Sequence, residues 1–257
     1  MISQNKPGKG DTGLGFGLAF CLLLVLAAGC GGEKDLTAED VVQKNIEARG
    51  GAAAWAAIEN LVMDGIYVSF SEEAPFKIWR MRPDLYRFDS TRIKKYVVHA
   101  YDGEKAWWIN PLFGPDFEKA QIIPAEGNLD KVTLRERFFD PVFWYADKHS
   151  RLVELEGKEV FDDRDCWKLK VTLADESVEH WYIDAESFLE VGMTGETYDF
   201  GIKNNLEAFF GDWREVDGVM FPFLIESEYG QRYRTMEIEN ILVNTDIDPK
   251  VFVMPDL

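Results

Sequence analysis

Cysteine, histidine and long apolar runs are all scarce in this chain, and each scarcity excludes something. Only three cysteines occur, Cys21, Cys30 and Cys166. With Cys21 in a leader and Cys30 consumed by processing, Cys166 is left alone and an intrachain disulfide is excluded, even in a compartment that permits one. The three histidines, His99, His149 and His180, stand far apart. There is no HExxH, no CxxC and no second His within a helical turn, so neither a metal nor another cofactor is expected. A Gly-rich phosphate loop is also missing, because Gly50-Gly51 follows a helical pattern instead of opening one. No block of Lys and Arg occurs and the net charge is −18, which argues against nucleic acid. Beyond the leader, no apolar run reaches the ~18 residues that suggest a membrane span.

What is present begins at the N-terminus. Lys6 and Lys9 precede Gly13–Cys30, which is apolar from Leu18 to Ala28 and closes in small residues. A cationic start, a short apolar run and a small-residue cleavage site make a secretory signal peptide. The run is too short to cross a bilayer, which takes about 20 residues. Ala27-Ala28-Gly29-Cys30 resembles the bacterial lipobox, with Ala at a first position where Leu is commoner. That resemblance implies cleavage after residue 29 and a diacylglyceryl group on Cys30. Residues 30–36 then form the lipidated Cys and a flexible polar tether, and 37–257 a single domain. Gly31 follows the Cys; by resemblance to Gram-negative lipoproteins, where Asp there favours the inner membrane, it implies the outer one.

From Thr37 the pattern is helical. Thr37 is a capping residue, Glu39 and Asp40 fill the first turn, and Ala38, Val41, Val42 and Ile46 share one face. Gly50-Gly51 ends this helix, and Ala52–Ile58 reads as a second one with Trp55 inward. After Asn60 the period becomes two. Strands are expected at 61–70, 76–82, 85–91, 94–101 and 105–110, and they resume at Leu152 after an interruption over Leu129–His149. That interruption is read as one or two inserted helices broken near Pro141. In Asp165–Leu173, Trp167, Leu169, Val171 and Leu173 point one way, and Lys168, Lys170 and Thr172 the other. Pro222 lies inside a late strand, which should therefore be an edge or carry a bulge. Short turns imply antiparallel pairing, giving a mainly β (α+β) domain of about ten strands with helices packed to one side.

Several stretches then resemble one family. Asp40 to Gly51, Tyr101-Asp102-Gly103 leading to Trp107-Trp108, Cys166 to Leu169 with Trp181 to Asp184, Arg214 to Pro222, and Ile238 to Phe252 are similar, in order and spacing, to the outer-membrane lipoprotein-sorting (LolA/LolB-like) proteins. The resemblance covers most of residues 38–254. It implies an incomplete antiparallel β-barrel around an apolar cavity, with helices covering the concave face, that carries lipoprotein acyl chains. A lipid-anchored member departs from the soluble periplasmic carrier and looks more like a receptor at the outer membrane. No transfer residue of the family aligns position by position, so none is carried over.

The residues add a ligand signal of their own. Aromatics make up 14% of the chain and include eight tryptophans; a well-filled core accounts for more than half of these, and a concave sheet face would use others to line a cavity. Alternation nominates Trp79, Trp107, Trp167, Phe209 and Phe221 as cavity lining, and Phe143, Trp144 and Tyr145 as a lid or membrane-facing lip. Cys166 and His180 raise a Cys–His nucleophile pair, but no orienting group or elbow accompanies them, and an enzyme is not expected. The expectation is a periplasm-facing lipoprotein that holds a lipid or lipoprotein acyl chain, with other envelope proteins as possible partners. The alternative is an envelope scaffold whose cavity is filled by side chains.

Overall fold

The computed structural model describes residues 36–69, 71–92, 95–109, 121–122, 133, 135–144, 150–199 and 202–255. The leader, Cys30, the tether through Asp35, Tyr145 and His149 lie outside these residues, as does much of the expected 129–149 insert.

Thr37 starts the fold through a reciprocal cap. Its Oγ1 accepts from the Asp40 amide at 3.1 Å, and the Asp40 carboxylate accepts from the Thr37 amide at 2.9 Å. Helix α1 (Ala38–Ala48) buries Val41, Asn45 and Ile46. Gly50 and Gly51 then take φ of 107° and 89°, which reverses the chain into the short helix α2 (Ala52–Ala56). At Gly50 the reversal also needs the missing side chain, because a Cβ there would stand 2.1 Å from the Gly218 carbonyl oxygen.

Thirteen antiparallel strands follow among the described residues. The first group is β1 (Asn60–Ser69), β2 (Glu72–Met81), β3 (Leu85–Arg92), β4 (Lys95–Tyr101), β5 (Ala106–Ile109) and β6 (Gln121–Ile122). The second is β7 (Ser150–Phe161), β8 (Arg164–Leu173), β9 (Val178–Asp184), β10 (Glu190–Asp199), β11 (Ile202–Val216), β12 (Val219–Tyr229) and β13 (Arg232–Val243). The order is β6-β5-β4-β3-β2-β1-β13-β12-β11-β10-β9-β8-β7. The chain meanders from the centre to one edge, restarts at the opposite edge and meanders back until β13 pairs with β1 from Leu61↔Val243 to Ser69↔Arg234.

This corrects the expected incomplete barrel of about ten strands. The sheet is open, neither closed nor strongly curled, and among the described residues it has thirteen strands with β6 and β7 at its two edges. Closure needs a continuous ladder between the edges. Among the described residues, β6 offers two residues against the twelve of β7, and the two edges form no ladder. Among the described residues the helical cover consists of α1, α2 and a helical piece at 133 and 135–136. The strand carrying Pro222 is interior, but its pairing with β13 begins only at Leu224, so Pro222 sits where β12 is bonded on the β11 side alone.

Both faces of the sheet are apolar in places. The inner face lies beneath α2 and the insert and holds the main core, including Leu61, Ile78, Tyr86, Leu169, Ile183 and Phe221. On the outer face, Val98, Ala100 and Trp107 pack near the C-terminal turn, where the Trp107 indole donates to the Phe252 carbonyl at 2.7 Å. A second outer cluster joins Phe161, Cys166, Tyr182 and Val191 with Phe209 against it.

Candidate functional site: an amphiphilic cavity on the inner face

Period-two alternation makes one row of each strand look inward, and together these rows leave a cavity of about 540 Å³. That volume lies within the roughly 300–1,000 Å³ usual for small-molecule sites. Its middle is apolar: Ile78, Phe88, Trp181, Phe210, Ile225 and Met236. Trp181 and Phe210 stack with centroids 5.7 Å apart, a flat aromatic wall against which an alkyl chain packs well. Toward the far ends of β1, β3, β10 and β12 the lining becomes polar, with Ser69, Thr91, Thr197 and Ser227.

At the opposite end, under α1 and α2, a charged pair is built into the aromatic floor. Arg49, just past α1, donates from Nη1 to Glu190 Oε1 at 2.7 Å and from Nε to the Met220 carbonyl at 2.8 Å. Its guanidinium sits 4.9 Å from the Trp55 and Trp213 ring centroids and 5.7 Å from Trp144. Such stacking suits guanidinium better than ammonium, because a flat and weakly hydrated cation loses less on burial. Glu190 reaches this position through a β-bulge. The β9–β10 register slips between Glu190 and Gly192, so Glu190 opposite Ile183 and Met193 opposite Trp181 share the inner face although three positions separate them. In a regular strand, residues three positions apart face opposite ways, and the bulge is what lets these two share a face.

Polar contacts also tie the insert across the cavity. Asp140 accepts from the Trp55 indole at 2.8 Å and pairs with Arg82 at 2.9 Å. Glu136 accepts from the Tyr86 hydroxyl at 2.6 Å, and Arg80 donates to the Phe138 carbonyl at 2.6 Å. Arg135 pairs with Glu179 on β9. Burial, with the Glu136 carboxylate adding to it, holds the Tyr86 phenol well above its ordinary range, so it remains a donor throughout the neutral range. Burial lowers Arg80 and Arg135 from the usual guanidinium value.

The nominated lining residues divide between the two faces. Phe221 lines the cavity and packs on Trp55, centroids 5.3 Å apart. Trp167 belongs to the inner core without lining the cavity. Trp79 lies on the outer face between the Lys77 and Arg87 cations, while Trp107 and Phe209 belong to the two outer clusters. Their neighbours Ile78, Trp108 and Phe210 are the residues that look inward. A one-residue change of parity exchanges the two faces, and apolar cover on both hides which is which.

Phe143 and Trp144 are 1% and 5% exposed, hence neither presents a lip to solvent. Phe143 packs on Trp181 and Trp144 on Trp55, with centroids 5.0 and 5.2 Å apart. The Trp144 indole also donates to Asn45 at 2.6 Å, fastening the insert to α1.

Cys166 pairs with Asp184 and His180 with Lys170, four positions along the same hairpin. At roughly 3.3 Å per residue this separates them by about 13 Å, so no nucleophile pair forms. Cys166 has no exposure and burial raises its thiol to about 11, which keeps it protonated and inert. Among the described residues no group of three or more His, Cys, Asp or Glu is placed to hold a metal.

The sequence missed Arg49 and Glu190. The available signal was an Arg directly before the Gly pair that ends α1, and it names neither the partner nor the bulge that presents it.

No family model matches the sequence, and no curated protein matches it either. The fold is nevertheless shared with solved structures. A LolA superfamily protein from Nitrosomonas europaea superposes with a TM-score of 0.54 at 14% identity, over 85% of this chain and 98% of that one. A DUF1329 family protein from Desulfovibrio piger gives 0.57 at 12% identity, over 84% and 95%. At such identities the likeness extends to the fold.

Proposed function

We propose that this is an envelope lipoprotein that holds the apolar chain of an amphiphile, a lipid or a lipoprotein acyl chain, in its inner-face cavity for sorting or transfer. The observation that carries the reading is the cavity itself: about 540 Å³, aromatic and aliphatic along its middle and polar at both ends. Burial of each methylene there contributes about 0.8 kcal/mol, so a long chain binds without specific chemistry, and release requires a second apolar surface to receive it. The reading contains no catalytic step. Cys30 supplies the lipid anchor, Gly31 favours the outer membrane in a Gram-negative host, and the folded domain faces the periplasm, where other envelope proteins are its partners. A solved protein of the same fold that carries the LolA superfamily name supports the assignment to lipoprotein or lipid handling.

Organic extraction of the exported protein, with mass spectrometry of the extract, tests this reading. Stoichiometric lipid, distinct from the Cys30 acyl groups, is the expected result. A clean apo protein that takes up neither added lipid nor acylated peptide overturns it and leaves the scaffold alternative.

A further inference from the structure

The floor of the cavity holds an acceptor that the protein does not use. Glu190 is 3% exposed and its Oε1 is occupied by Arg49, but its Oε2 is buried and accepts no hydrogen bond among the described residues. Other carboxylates around the cavity are arranged differently. Asp140 uses one oxygen for the Trp55 indole and both near Arg82, and Glu179 uses one for the Trp181 indole and the other for Arg135. Leaving a buried acceptor unmet is costly, more so for a charged one. The β10 bulge makes this costly arrangement by turning Glu190 inward beside Met193, and both residues line the cavity. Bulges recur where a side chain must be re-aimed at a functional site.

We infer that Glu190 Oε2 receives the polar end of the bound amphiphile, and that this end is an O–H or N–H donor without negative charge: a hydroxyl, an ammonium or an amide N–H. The inference rests on the cavity reading above and names its ligand class. The Arg49–Glu190 pair is neutral as a unit, and its cation already serves Oε1 and the Met220 carbonyl. An anionic head would be repelled by the carboxylate that faces it, whereas a donor completes the shell. The trailing chain then runs along Trp181 and Phe210 toward the polar end at Ser69 and Ser227.

Three probes with matched chains separate the possibilities: hexadecanol, hexadecylamine and methyl palmitate, whose ester carries acceptors alone. They are titrated into the full delipidated protein and followed by tryptophan fluorescence. Hexadecanol and hexadecylamine should bind at least about tenfold more tightly than methyl palmitate, the smaller end of the range for a hydrogen bond to a charged group. In Glu190→Gln, Arg49 holds the amide oxygen, so the other position becomes an N–H donor, and the preference should turn toward methyl palmitate. Should this variant fail to fold, the wild-type series decides alone. Equal wild-type affinity for all three probes overturns the inference while the cavity reading survives. Binding of none overturns both.

Discussion

Arg49 reaches from the end of α1 to Glu190 at the start of β10, Nη1 to Oε1 2.7 Å, with side chains 8% and 3% exposed. The pair fastens the N-terminal helices to the late half of the sheet. Removing one partner leaves the other charge buried and unpaired, so Arg49→Met should destabilise the fold by about 3–5 kcal/mol. Arg49→Lys keeps the charge and loses the planar fork and the stacking on Trp55 and Trp213, hence it should rescue only part of that loss. Urea denaturation of the two variants checks this ordering.

Gly50 and Gly51 give a matched comparison of strain and clash. Both have positive φ, but a Cβ at Gly50 would strike the Gly218 carbonyl, while at Gly51 nothing lies within 4 Å. Gly51→Ala should therefore cost about 1–3 kcal/mol of conformational strain. Gly50→Ala should cost clearly more, because α2 must also back away from the β11–β12 turn. Melting temperatures of the two single variants read out the difference.

The Cys166 thiol, buried on the outer face, sets a weak pH dependence at the alkaline end. Burial raises it to about 11 from an ordinary 9.0, so the folded state holds its proton more tightly than the unfolded chain does. Its contribution is complete below pH 9.0 and is lost as the pH rises toward 11. Cys166→Ala should flatten the stability profile in that window. A thiol reagent at pH 8 should label native wild type far more slowly than the urea-unfolded chain, as an absorbance assay would register.

Anchoring is separable from folding. On the proposed anchor, Cys30→Ser removes the side chain that would be acylated and leaves Leu36–Leu257, a unit of its own, unchanged in sequence. Fractionation should find the variant released from membranes by washing, with an unchanged melting curve. Retention that still needs detergent would contradict the anchor.

The sequence disclosed what is periodic and local. The cap at Thr37, the Gly50-Gly51 stop and nearly every strand follow from side-chain spacing, and β8 places Trp167, Leu169, Val171 and Leu173 inward as its alternation requires. Closure was not legible, because whether two edges meet depends on edge length, and among the described residues β6 spans Gln121–Ile122. The functional face was half legible. Trp79, Trp107 and Phe209 alternate correctly but look outward: apolar cover near Phe252 and Phe161 gives the outer face around Trp107 and Phe209 a pattern like the inner one, and Trp79 packs there against Lys77 and Arg87. The Arg49–Glu190 pair joins residues 141 positions apart through a bulge, and a single strand's pattern holds no sign of such an irregularity.

The measurement that tests the central claim most directly is quenching of tryptophan fluorescence by a fatty chain brominated at mid-length, in wild type, Trp181→Phe and Trp79→Phe. Trp181 lines the cavity and Trp79 lies on the opposite face. If the chain occupies the inner cavity, quenching is saturable in wild type and in Trp79→Phe, and is clearly reduced in Trp181→Phe. No saturable quenching, or the same loss from either substitution, would contradict the account.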